Sequence, residues 1–318
     1  MTLAAIWDVP APAKLNLFLH VVGRRPDGYH LLQSVFVLID WCDTLHFERR
    51  SDGQLRRHDL GPALPADDLS LRAARALQQA SGCALGADIS VLKRVPWGAG
   101  LGGGSSDAAS TLLALNRLWG LGWSRARLQE IALPLGADVP FFVGGNTALV
   151  EGIGERLTPL PDWPAQRFAV VKPAPAIATA AIFGSPLLVR NTEPVIVTGC
   201  LTGALWPEEI TKAGFGRNDL QPPAEASCPE VGQVARWLEA RFGNSRMSGS
   251  GSAVFARIDT NFEQSDVTVA GLAQAGPGTQ STAARQARDF ERTLPASWVG
   301  RICRSLDHHP LRVWVDGD

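Results

Sequence analysis

The segment VPWGAGLGGGSSDAAS, residues 95–110, sets Gly98, Gly100, Gly102, Gly103 and Gly104 ahead of Ser105, Ser106 and Asp107. A backbone without Cβ atoms lets its N–H groups approach a ligand closely. The apolar spacing of Ala108, Leu112, Leu115 and Trp119 predicts a helix directly behind it, with Gly120 as its stop. The first turn of a helix carries unpaired N–H donors and the positive end of the dipole, so the natural ligand is an anion, and a polyphosphate above all. A tight strand-to-helix turn also uses glycine, but five glycines in seven positions exceed what such a turn demands.

Two common phosphate motifs do not account for this loop. Gly98, Gly100 and Gly103 satisfy GxGxxG, yet the stretch about 20 positions on, RLWGLGWSR, reads as a helix end and a turn, without the acidic strand end of a dinucleotide site. No GK[ST] occurs in the chain, so the P-loop lysine and its hydroxyl neighbour are missing.

A group-transfer site beside such an anion cradle would need a base and positive charge. Asp138 in GADVPFF is either that base or, with Val-Pro behind it, a helix N-cap. Lys14 and Asn16 lie two residues apart in a strand and share a face; Lys14 alone reads as a rim residue or as a cation. Tyr29, the single tyrosine, stands beside His30 in a turn, where an aromatic face with polar neighbours suits stacking on a base. Ser105, Ser106 and Asp107 are caps, or oxygen donors toward phosphate or Mg²⁺.

The elements that must position these groups follow from period and punctuation. Residues 13–22 and 34–41 predict strands, and Asp52-Gly53 between paired arginines predicts a hairpin. Residues 68–82 predict a helix with a glycine stop, ADISVLKRV a strand, SRARLQEIALPLG a helix, and 147–160 two strands about Gly152 and Gly154. Beyond the Pro-rich LPDWP come a strand at FAVVKPAP, a helix over 231–243 and two strands around the Gly/Ser loop of SRMSGSGSAVFARI. Residues 261–284 are polar and read as a mobile surface insertion. Irregular alternation in both halves predicts an α+β chain of two domains, divided near residue 160.

Composition excludes several classes. With 30 Lys+Arg against 31 Asp+Glu the net charge is −1, so no general attraction to nucleic acid or an anionic membrane exists. The start lacks a signal-peptide pattern, no apolar run approaches a membrane span, and a cytoplasmic protein is expected. Five scattered cysteines without a CxxC pair, and histidines without HExxH, predict neither a disulfide framework nor a zinc site.

PxGAGLGGGSSDAA resembles the phosphate-binding motif of the GHMP small-molecule kinases. APAKLNLFLHVVGRRPDGYHLLQSVF, LGADVPFFVGG, EGIGERLTPL, GRNDLQPPA and SGSGSAVFA, in order over most of residues 11–256, resemble the branch of that family acting on a cytidine diphosphate-linked polyol. The resemblance implies a two-domain α+β GHMP kinase fold, residues 1–160 and 161–318, with the active site in the cleft between them. It implies ATP and Mg²⁺ as cofactors and a small-molecule alcohol as acceptor. It makes Asp138 the catalytic base beside Lys14, and gives ATP to Pro96, Gly98, Ala99, Gly100, Leu101, Gly102, Gly103, Gly104, Ser105 and Ser106. Asn16 falls to the polyol, Tyr29 and His30 to cytosine with Phe183 as the opposing ring, and Gly249 and Gly251 to a loop closing over the reacting groups. The Mg²⁺ ligands, and the choice between monomer and homodimer, stay open. Another GHMP kinase, such as a homoserine kinase, and a non-catalytic nucleotide-binding regulator are the rival readings. The tail PLRVWVDGD extends beyond the resemblance and is expected to be of low consequence.

Overall fold

Apolar alternation over the first 50 residues folds into two long antiparallel strands, β1 (Ala5–Arg24) and β2 (His30–Arg50). The computed structural model describes residues 3–161, 163–195, 217–258 and 289–315. The polar stretch 261–284 lies outside them. After β2 come β3 (Leu55–Asp59), α1 (Leu69–Ser81), β4 (Gly86–Leu92), α2 (Gly103–Leu118), α3 (Arg125–Ala132), α4 (Val139–Gly144), β5 (Ala148–Gly152) and β6 (Arg156–Pro159). The sheet runs β3-β4-β2-β5-β6, with β1 along β2. Local chemistry sets the helix ends: the Asp68 carboxylate accepts from Leu71 N–H, the Ser124 hydroxyl from Arg127 N–H, and Gly82 is the expected stop, closing α1 in the left-handed region.

A second sheet, β10-β7-β9-β8, is built from β7 (Arg167–Lys172), β8 (Arg246–Met247), β9 (Val254–Ile258) and β10 (Val299–Arg304). With it come α5 (Thr179–Gly184), α6 (Gln221–Ser227) and α7 (Pro229–Phe242). Side-chain alternation stacks these parts in layers. Phe36 and Leu38 of β2 pack with Leu112, Leu115 and Phe142 on the helix side. Val35, Val37 and Ile39 point the other way and meet Phe168, Val170 and Phe255 of the second sheet. The far face of that sheet, Ala169, Val171 and Val254, is covered by Val231, Val234 and Leu238 of α7.

The Asp52-Gly53 hairpin is a correction. β4 inserts between β2 and β3 and pairs with β3 in parallel, so the turn changes strands without joining neighbours. Gly53 does take positive φ, but Arg50 spends its charge on Asp52 and Asp88, and Arg57 on Asp59 and Asp68. These pairs hold together the edge that the hairpin was expected to close.

The C-terminal tail also differs from expectation. Leu311 and Val315 enter the helix-side core, and His309 N–H donates to the Gly145 carbonyl. Arg125, almost fully enclosed, donates to the carbonyls of Val143 (2.6 Å) and Arg312 (2.7 Å). Charge-assisted bonds of this kind are worth on the order of 2 kcal/mol each. The tail therefore buttresses α4, the helix that begins at Asp138.

Candidate active site

Whether Lys14 is a rim residue or a buried cation is decided by an irregularity in β1. Pairing with β2 shifts register between Pro12 and Ala13, and the alternation reverses there. Val9 and Ala11 belong to the helix-side core, but Ala13, Leu15 and Leu17 belong to the core between the sheets. Lys14 and Asn16 are thereby turned to the helix side. Lys14 is 3% exposed, its Nζ lies 4.5 Å from the Phe36 ring centre, and it donates to Asn16 Oδ1 at 2.5 Å. Its ammonium also stands 3.6 Å from Asp138 Oδ2. Burial pushes the Lys14 pKa below the ordinary 10.5, against the pull of Asp138.

Asp138 precedes α4 at the N-cap position, but with helical φ −83° and ψ −17° and no side-chain cap bond. Its carboxylate is thus not spent on the helix and is left to Lys14 and the cavity it lines.

Gly98, Gly100 and Gly102 have φ of 62°, 71° and 72° and form a wall with a cavity on each side. A cavity of about 850 Å³ is lined by Lys14, Asn16, Tyr29, His30, Asp138, Phe183, Gly249 and Gly251 together with these three glycines. A second, of about 370 Å³, is lined by Pro96, Gly98, Ala99, Gly100, Leu101, Gly102, Gly103, Gly104 and Ser105, with Lys93 and Asp107. Ser106 is the one expected nucleotide residue not brought to either wall: it is fully enclosed, and its N–H is given to the Gly102 carbonyl.

The glycines have structural tasks as well. A Cβ on Gly100 would overlap the Ser248 carbonyl oxygen, and one on Gly102 would meet the Phe142 ring at 2.9 Å. The loop of Gly249 and Gly251 lies this close because it is bonded to the wall. Ser252 N–H donates to Gly98 O, Ala253 N–H to Ala99 O, and the Ser248 hydroxyl to Gly100 O. Ser248 Oγ also accepts from Asn16 N–H at 3.2 Å, so one buried hydroxyl joins β1, the glycine wall and this loop. Nothing in its sequence position signals that role.

Under the smaller cavity, Lys93 bridges Asp43 and Asp107. Asp43 also accepts from the N–H groups of Arg94 (2.5 Å) and Val95 (2.8 Å), fixing the strand exit that leads into the glycines. Burial and the neighbouring Asp43 push the Asp107 carboxyl up to about 8 against the pull of Lys93, and Asp107 Oδ1 has no hydrogen-bond partner. Because its folded pKa lies above the ordinary 3.8, Asp107 contributes stability that is complete in acid and lost as pH rises toward 8. The thermal midpoint of the free protein is therefore expected to fall across that window, and Asp107→Asn to flatten the fall. Melting curves at several pH values check this; parallel slopes for both proteins would refute it.

At the far end of the larger cavity Tyr29 is 60% exposed, and the His30 and Phe183 rings are 4.9 Å apart with a 32° tilt. Phe183 therefore stands beside His30, half-buried, and also packs against the core between the second sheet and α7. Sequence reading passed over Arg190, whose Nε donates to His30 Nε2 at 3.1 Å across 160 residues of chain.

A phosphate-type wall between two cavities, with a carboxylate and an ammonium beside it, defines a small-molecule kinase of the GHMP class. The GHMP kinases N terminal domain matches residues 68–146, and the GHMP kinases C terminal model matches residues 205–278. A protein of Methylibium petroleiphilum named 4-diphosphocytidyl-2-C-methyl-D-erythritol kinase is 61% identical, covering 99% of this chain and 100% of its own. The same name belongs to a Verminephrobacter eiseniae protein 53% identical over 98% of each chain. A solved 4-(cytidine 5'-diphospho)-2C-methyl-D-erythritol kinase superposes with a TM-score of 0.68 at 33% identity, covering 92% of this chain and 98% of that one. The chain belongs to the 4-diphosphocytidyl-2-C-methyl-D-erythritol kinases, a family of ATP-using GHMP kinases. Among the described residues no helix is long and apolar enough to cross a membrane.

Proposed function

We propose that the chain transfers the γ-phosphoryl group of ATP to the 2-hydroxyl of 4-diphosphocytidyl-2-C-methyl-D-erythritol. The products are the 2-phosphate and ADP, formed in the cytoplasm as a step of non-mevalonate isoprenoid synthesis. The observation that carries this reading is the shared glycine wall: one cavity takes the triphosphate, the other the acceptor, and Lys14 and Asp138 stand on the acceptor side. Residues 1–160 and 161–318 are the two domains: both line the larger cavity, and the first alone supplies the glycine wall and the smaller cavity.

Asp138 takes the proton of the acceptor hydroxyl as its oxygen bonds to the γ-phosphorus and the bond to the β-γ bridging oxygen breaks, releasing ADP. Lys14 orients that carboxylate and places positive charge near the transferring group. Asn16, held by Ser34 and Ser248, presents its amide to the polyol. Backbone N–H groups at the start of α2 face the phosphates. Tyr29, His30 and Phe183 hold the cytosine. Asp107, whose Oδ1 has no hydrogen-bond partner among the described residues, and Ser105 line the nucleotide cavity as oxygen donors that would hold Mg²⁺, whose charge would favour the ionised form of the Asp107 carboxyl. When bound, the ion neutralises charge on the phosphates.

ADP release measured with ATP and each of several acceptors tests the proposal. Turnover with the cytidyl substrate, and product carrying phosphate on the 2-hydroxyl, are expected. Turnover with homoserine instead would favour another GHMP kinase, and none with any acceptor would favour a regulator.

A further inference from the structure

His30 is the polar ring at the pyrimidine end of the larger cavity, and its proton position is not left to solvent. Arg190 Nε lies 3.1 Å from His30 Nε2, and a guanidinium nitrogen can only donate. Nε2 must therefore be the accepting, unprotonated nitrogen. Burial first, then the charges of Arg190 and Arg24, hold the His30 pKa below the ordinary 6.5, so the ring is neutral near pH 7. A neutral imidazole with a bare Nε2 carries its proton on Nδ1.

The guanidinium is itself immobilised. Its Nη1 donates to Leu188 O at 3.0 Å, and its Nη2 to Phe183 O at 3.0 Å and Ser185 O at 2.9 Å. These carbonyls belong to the segment that carries the Phe183 ring against His30. One arginine thus fixes the imidazole and the backbone of its aromatic neighbour together, while Nδ1 of His30, a residue of the cavity lining, has no hydrogen-bond partner among the described residues.

We infer that Arg190 is a positioning residue that sets which pyrimidine the cavity accepts, by fixing His30 as a donor at Nδ1. This rests on the function proposed above. Cytosine presents an acceptor at N3 to such a donor, whereas uracil carries a hydrogen on N3 and meets it there with a second donor. A site built around one hydrogen-bond polarity rejects the opposite one, because the unmatched buried group is left unpaired.

Nitrogen-15 imidazole spectra of the full chain, with His30 assigned by its loss in His30→Gln, read the tautomer directly. The wild type is expected to show protonated Nδ1 and bare Nε2; Arg190→Gln is expected to populate the Nε2–H form. In that variant the KM for the cytidyl acceptor should rise about tenfold, while kcat and the KM for ATP change less than about twofold, as loss of one binding contact requires. Preference for the cytidyl acceptor over its uridyl counterpart should fall by about the same factor. Arg190→Lys, which keeps a donor, should recover part of both effects. A wild-type proton on Nε2 overturns the inference, as does Arg190→Gln with an unchanged tautomer and acceptor KM. Equal losses toward both substrates in both variants would also overturn it, since they mark a merely structural arginine. If the wild type turns over neither nucleotide acceptor, the functional reading fails, and the spectrum still decides the tautomer.

Discussion

Asp138→Asn is expected to lower kcat by about 10³-fold while ATP affinity stays within about twofold. The amide is nearly isosteric and can still accept from Lys14, whose ammonium lies 3.6 Å from the native carboxylate. The capacity to take a proton is removed, and with it the counter-charge of buried Lys14. No cap is lost, because the Asp138 side chain makes no hydrogen bond to α4, but the enclosed Lys14 ammonium loses its carboxylate, so a lower thermal midpoint is expected. Steady-state ADP release, together with equilibrium binding of a non-hydrolysable ATP analogue, separates the two effects. Turnover within about tenfold of the wild type would remove Asp138 as the base, since a general base contributes at least about 10².

Lys14→Met should lower kcat by a comparable factor, about 10²-fold or more, with a different signature in stability. Methionine replaces a buried ammonium by an apolar chain of similar length over the Phe36 ring. The Asp138 side chain left behind is 31% exposed and keeps its hydration, so no charge is stranded. Asn16 Oδ1 loses the lysine donor, and the Ser248 hydroxyl, 3.4 Å away, can turn to it from the Gly100 carbonyl. The thermal midpoint near pH 7 is therefore expected to be no more than about 2 °C below the wild type, or above it. The pH dependence gives a second signature. A lysine whose folded pKa is lowered destabilises the fold while it is charged, so the wild type recovers stability as pH rises from that lowered value toward 10.5. The methionine variant lacks this component. Scanning calorimetry at neutral and alkaline pH reads both; a large neutral-pH loss in the variant would show that the Lys14–Asp138 pair is a structural tie.

What was legible in the chain was mainly local. The helices expected over 68–82 and from Ser124 onward form, and the glycines of residues 98–104 lead into a helix whose N-cap is Gly102. Their number had a further cause that sequence could not show: Gly100 and Gly102 leave room for Ser248 and Phe142 from distant segments, besides any ligand. The burial of Lys14 was not readable from alternation, because the register shift after Pro12 reverses that alternation. The Asp52-Gly53 turn has hairpin chemistry, but parallel pairing of β3 with β4 outweighs it.

The parts missed altogether are long-range. Lys93 meets Asp43 across 50 residues, Ser248 meets Asn16 across 232, and Arg190 meets His30 across 160. None belongs to a motif with a fixed spacing, so only the fold brings each pair together. Site residues named from resemblance fared differently, since Lys14, Asn16, Tyr29, His30, Asp138 and Phe183 all line one cavity.

The central claim is that the glycine wall separates phosphoryl donor from acceptor and that Asp138 faces the acceptor hydroxyl. A crystal structure with a non-hydrolysable ATP analogue and 4-diphosphocytidyl-2-C-methyl-D-erythritol bound together tests it most directly. The account predicts the triphosphate along the Pro96–Ser105 side, the polyol between Lys14, Asn16 and Asp138, and the Asp138 carboxylate about 3 Å from the 2-hydroxyl. Both nucleotides on one side of the wall, or a 2-hydroxyl beyond the reach of Asp138 even through one water, would contradict it.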